Sequence, residues 1–211
     1  MGYTSRKRLF YVISILFVFF IPFYDVPRTF RSGISVSMIL GFIIIILLIF
    51  LKSKSGYRNI KIPILLIIPF LLFLYVYIIS FYVSFSYNVK GINHIVFYLI
   101  SFTIYSLVTF YVTNEIGTYT FSKVLSWAVI CVSFIGFYEI SLFYLFDYST
   151  YATFLNHGQN VGIFNGFARL RSTFNEPSHF ALFIIPVFPI LIYGKHWFAV
   201  VVGSLALILT F

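Results

Sequence analysis

The chain has 211 residues, of which 61% are hydrophobic and only 9% charged, against about 25% charged in an ordinary soluble domain. A surface with so few charges would not stay dispersed in water, which excludes a soluble globular domain. The formal charge is +9, but the 14 Lys and Arg lie in short groups between apolar runs; that is how a membrane protein carries its charge, and no nucleic-acid partner is expected.

A helix needs about 20 apolar residues to cross the hydrocarbon core of a bilayer. By that length the chain reads as all-α, a polytopic transmembrane helical bundle forming a single membrane domain over residues 1–211, with about seven spans present. The first follows Arg6, Lys7 and Arg8 and runs from Leu9 to about Tyr24. It resembles a signal peptide, but no small-residue cleavage site follows it, so it is expected to be retained. The second is expected over Ile34 to Leu51, the third over Ile62 to Phe85 and the fourth over Ile95 to Val112. The fifth is expected over Phe121 to Phe146 and holds the single cysteine, Cys131, which reads as a small buried hydrophobe. One cysteine makes neither an intrachain disulfide nor a zinc set. The sixth is expected over Phe180 to Tyr193. A seventh opens near Trp197 and is still apolar at Phe211, which predicts a fragment whose last span is truncated, with further spans following.

Orientation follows from the Lys/Arg bias of the short connections. With the N-terminus in the cytoplasm, the inner segments hold Arg6, Lys7, Arg8, Lys52, Lys54, Arg58, Lys61, Lys123 and Lys195, and the outer ones hold Arg28, Arg31, Lys90, Arg169 and Arg171, nine against five. The long connection of residues 147–178 is then on the outer face. Connections of this length in compact proteins are mostly functional or disordered. This one holds Gly158, Gly162, Gly166, Asn156, Asn160, Asn165 and Asn175, which favour turns. It also holds Phe154, Val161, Phe164 and Phe167, and is expected to pack.

The densest polar cluster, Ala168-Arg-Leu-Arg-Ser-Thr-Phe-Asn-Glu-Pro-Ser-His-Phe-Ala181, stands where this connection re-enters the membrane as the sixth span. Arg169 and Arg171 point the same way if the segment is extended, and paired guanidiniums suit phosphate oxygens. Pro177 fits a first helical turn, which Asn175, Glu176 or Ser178 can cap. The exposed N–H groups of a helix start form an anion site. Glu176 and His179 share a face once the helix has begun. The same residues also fit an interfacial anchor for lipid headgroups and a plain helix cap. Glu139, deep in the fifth span, is a functional candidate by position, facing a cavity under the loop or hydrogen-bonding between helices. Its neighbour Tyr138 is expected to pack.

The remaining single polar residues have simpler readings. His94 and Lys90 read as interface anchors, and Lys195 and His196 as a tight inner turn after Gly194. Trp127 and Trp197 stand near the expected membrane boundaries, as aromatic belts do. Asp25, Arg28 and Arg31 read as a solvated outer turn, and Lys52, Lys54, Arg58 and Lys61 as an inner basic loop facing anionic lipids.

The cluster resembles the O-antigen and capsular polysaccharide polymerase family. Its members show an Arg, a small residue and an aromatic, then Glu-Pro-Ser and an aromatic-small pair opening a helix after a long outer loop. Arg171, Ser172, Phe174, Glu176, Pro177, Ser178, Phe180 and Ala181 fit that pattern. The related O-antigen ligases share the layout but have Pro-Asn in place of Glu-Pro-Ser. Family members have ten or more spans and a second large outer loop, which this chain lacks. The resemblance implies a glycosyltransferase-type polymerase that needs no metal and no cofactor. Its substrate would be a glycan repeat unit on undecaprenyl diphosphate, with a flippase and a chain-length regulator as further partners. It would work at the outer face of a bacterial cytoplasmic membrane, making O-antigen, capsule or exopolysaccharide. Arg171, Glu176 and His179 would be catalytic, and Arg169, Arg171 and Ser178 would bind the diphosphate. A glycan ligase of similar layout is the nearest alternative. A lipid-linked sugar flippase should instead place charges along several spans, whereas Glu139 alone is clearly intramembrane here.

Overall fold

A computed structural model describes residues 3–23, 35–53, 71, 74, 75, 78, 79, 82, 105–146, 163–164, 167–170, 172–174 and 177–210. Six helices stand among these residues: α1 (Tyr3–Phe20), α2 (Val36–Ser53), α3 (residues 105–116), α4 (Thr118–Phe146), α5 (Pro177–Tyr193) and α6 (Trp197–Ile208). Two very short antiparallel strands, β1 (Ile163–Phe164) and β2 (Phe167–Ala168), pair Ile163 with Ala168 and Phe164 with Phe167. The chain divides into two compact units, residues 1–40 with 113–211, and residues 41–112. In the second unit, residues 71, 74, 75, 78, 79 and 82 are helical, as are the remainder of α2 and most of α3.

Helix boundaries follow local chemistry. α2 starts at Val36 because Ser35 caps it: Ser35 Oγ accepts from Met38 N–H at 3.2 Å and its carbonyl accepts from Ile39 N–H at 3.2 Å. A single residue, Gly117 at φ +81°, separates α3 from α4. Only a residue without a Cβ takes that left-handed conformation freely, so the expected connection between the fourth and fifth spans shrinks to one glycine. α5 ends in a Schellman turn. His196 N–H bonds the Leu191 carbonyl at 2.9 Å and Lys195 N–H bonds the Ile192 carbonyl at 3.0 Å, with Lys195 itself left-handed at φ +58°. This is the tight turn expected at Gly194, Lys195 and His196.

α4 is the centre of the first unit and packs against α1, α5 and α6. Its buried face runs through Leu125, Val129, Val132, Gly136 and Glu139, at helical spacing. α6 buries Ala199, Val202, Gly203 and Ala206. Small residues on that face allow close approach: a Cβ on Gly203 would stand 3.2 Å from Val129 of α4 and from Phe188 of α5. Outward, the same helices expose Trp127, Phe134, Tyr138, Leu182, Ile185, Trp197, Phe198, Val201 and Leu205. Tyr138 was expected to pack; it stands on the outward face of α4, one position from the buried Glu139, because neighbouring helical positions turn about 100° apart.

Among the described residues one helix, α4, is long and apolar enough to cross a membrane. Only 28% of its most apolar stretch is buried within the protein, unlike the core helix of a soluble domain. α1 starts earlier than expected and takes in Arg6, Lys7 and Arg8. α5 and α6 have 17 and 12 residues, short of the roughly 20 that a full crossing needs. Most of the expected third span and much of the fourth lie outside the described residues; the described residues 71, 74, 75, 78, 79 and 82 of the third are helical.

Candidate functional site

The described part of the long connection is built into the first unit. β1 and β2 flank Asn165-Gly166, the composition favoured in two-residue hairpins. Among the described residues this hairpin is the one departure from an all-helical fold. Ala168 at its end is buried against Phe143, and its N–H donates to Tyr144 Oη at 3.1 Å, near the C-terminal end of α4. Leu170 N–H donates to the Leu209 carbonyl at 2.7 Å, just beyond α6. The Leu170 side chain fills the notch left by Gly136 on α4, where a Cβ would come within 2.6 Å of its Cγ. Ser172 Oγ donates to the Val132 carbonyl, and Thr173 Oγ1 to the Pro22 carbonyl at 2.7 Å, after α1. From Ala168 to Ser172 the segment therefore runs antiparallel to α4, level first with residues 143–144, then 136, then 132.

Leu170, Ser172, Thr173 and Phe174 are all buried. The segment turns at Ser172, which adopts φ +56°, a left-handed conformation that costs a non-glycine residue about 1–2 kcal/mol. The hydroxyl bond to Val132 holds it there. Phe174 then packs edge-on to Phe180, with centroids 5.7 Å apart, and lies 5.6 Å from the Phe183 ring. These rings pin the turn to the first turns of α5.

The candidate residues are distributed over this framework. Arg169 is half-buried, and its Nε donates to the Thr210 carbonyl at 2.8 Å. That carbonyl follows the last turn of α6, where a cation is favoured by the helix dipole. Arg169 is thus held by the protein, a role its spacing from Arg171 did not show. His179 is exposed in the first turn of α5. Ser178 lies in that same turn. Arg171 and Glu176 lie outside the described residues. Glu139 is only 4% exposed. It lies on the α4 face that receives the segment, one turn beyond Gly136, between the levels of Leu170 and Ala168. Cys131 is half-buried rather than fully buried.

The sequence reading missed Gly136, Val132, Tyr144 and Thr210, which position the segment. Gly136 alone carried a local signal, as a glycine inside a long helix. No protein-family model matches the chain, and no curated protein or solved structure matches it.

Proposed function

We propose that this is a polytopic enzyme of the bacterial cytoplasmic membrane, with its N-terminus inside, that joins undecaprenyl-diphosphate-linked oligosaccharide units into a surface polysaccharide at the outer face. The observation that carries the reading is the seating of residues 168–174. A polar, arginine-bearing segment is fixed to α4 and to the chain just beyond α1 and α6, and it leads directly into a helix start that bears His179. A mere surface connection has no need of such anchoring. A transfer site does, because a small misplacement of reacting groups is costly in rate.

In the proposed reaction the bond between the sugar anomeric carbon and the diphosphate oxygen breaks, and a new bond forms to a hydroxyl of the acceptor unit. The leaving diphosphate takes the electron pair, and Arg171 stabilises its negative charge. Glu176 or His179 receives the proton of the attacking hydroxyl. Ser178, at the helix start, adds a hydroxyl and a backbone dipole to the anion site. Arg169 shares its guanidinium with the end of α6 and holds the strand that precedes Arg171. The expected partners are the flippase that delivers the units and a chain-length regulator.

Single variants test the roles. In cells relying on the altered protein at normal abundance, Arg171→Ala and Glu176→Ala should each slow chain extension by about a hundredfold or more, the usual cost of losing a charge-stabilising group or a base. Full-length glycan from both variants would remove the proposed site.

A further inference from the structure

The N-terminal end of α4, away from the seated segment, has a separate chemistry. Ser122 Oγ lies 3.1 Å from His196 Nε2, and the Tyr119 and His196 rings are 6.2 Å apart. The single hydroxyl proton of Ser122 goes to the Tyr119 carbonyl at 2.9 Å. The imidazole braces the α5–α6 turn against the first turn of α4, and this brings Lys123 and Lys195 to one end of the unit, both exposed. Around them stand exposed rings: Tyr119, Trp127, Tyr193 at 85% exposure, Trp197 and Phe198. Glu115, exposed before Gly117, is the one carboxylate at this end among the described residues.

The length of α4 places this end. Its 29 residues span about 43 Å at 1.5 Å per residue, against a hydrocarbon core of about 30 Å. The C-terminal end stays apolar through the exposed Leu145 and Phe146. The surplus is therefore the first turns, which carry Thr118, Thr120, Ser122 and Lys123. Aromatic rings beside lysines are what the headgroup layer selects, and each lysine near an anionic membrane surface contributes about 1 kcal/mol of attraction, about fivefold in local partition.

We propose that this end, built from the start of α4 and the α5–α6 turn, binds the headgroups of anionic phospholipids through Lys123 and Lys195. The proposal rests on the membrane reading of the chain and not on the polymerase reading.

The only tryptophans in the chain, Trp127 and Trp197, both stand at this end, so native fluorescence reports on it alone. The protein would be placed in nanodiscs of phosphatidylcholine with a minority of phosphatidylglycerol, with bromine on the chains of one lipid or the other at equal mole fraction. Brominated phosphatidylglycerol should quench about twofold more than brominated phosphatidylcholine. The excess should vanish in high salt and in the Lys123→Gln/Lys195→Gln double variant. Equal quenching by the two lipids in the unaltered protein would overturn the proposal. Red-shifted emission quenched by neither lipid would overturn it together with the membrane reading.

Discussion

Lys195 adopts φ +58° at the position where a Schellman turn favours glycine. The left-handed conformation costs a side-chain-bearing residue about 1–2 kcal/mol. Lys195→Gly should therefore raise stability by about 1 kcal/mol, read as a higher thermal midpoint in detergent. A lower midpoint would mean that the lysine side chain contributes more than the strain costs. The turn itself was legible in the sequence, because Gly194-Lys195-His196 interrupts an apolar run. The roles of the arginines were legible only in part. Spacing pairs Arg169 with Arg171, but it does not show that Arg169 bonds a carbonyl 41 residues away. That contact depends on where α6 ends in space. Glu139 was conspicuous as a carboxylate in an apolar run. Its relation to the seated segment follows only from the contacts of Leu170 and Ala168 with α4.

Gly136 and Leu170 show how one element holds another. A Cβ at position 136 would meet the Leu170 side chain at 2.6–2.7 Å, so Gly136→Ala overpacks the contact and should cost about 1–3 kcal/mol. It should also reduce chain extension, because the displaced segment leads to Arg171. Leu170→Ala empties the same notch. The double variant should be less destabilised than the sum of the single variants by at least about 0.5 kcal/mol, measured in a double-mutant cycle of thermal unfolding. Strict additivity would mean that the two residues do not meet. The long apolar runs behind α2, α4 and α5 made these helices easy to locate, with starts shifted by two or three residues by the Ser35 cap, the Gly117 break and Pro177. The β1–β2 hairpin was harder to see. Its strands have two residues each, too few for an alternating pattern, and Asn165-Gly166 registered only as a turn.

Across the first unit an apolar core is accompanied by many large apolar side chains on the outside. Ser14, Ser122, Ser126, Ser133, Glu139, Ser172 and Thr173 are buried, while large apolar side chains of α1, α4, α5 and α6 face outward. Polar groups between helices and apolar groups outside are what a lipid environment selects. The composition points the same way as these outward Phe, Ile, Leu and Trp side chains. Helix lengths are a separate matter, since α4 alone among the described residues passes the test for a full crossing, and the seven-span layout stays part of the proposal. Seen whole, the unit has two chemically distinct ends. Toward one, the seated segment lies along α4 from the level of Tyr144 to that of Val132; at the other stand Lys123, Lys195 and the exposed aromatic rings. The most direct test is to delete the gene in its source and size the lipid-linked and surface glycans. The account predicts single repeat units, exported to the outer face and not extended, with long chains restored by the intact gene. Long chains stranded on the lipid carrier would mark a ligase, units held on the cytoplasmic side would mark a transporter, and unchanged glycans would contradict the proposed function altogether.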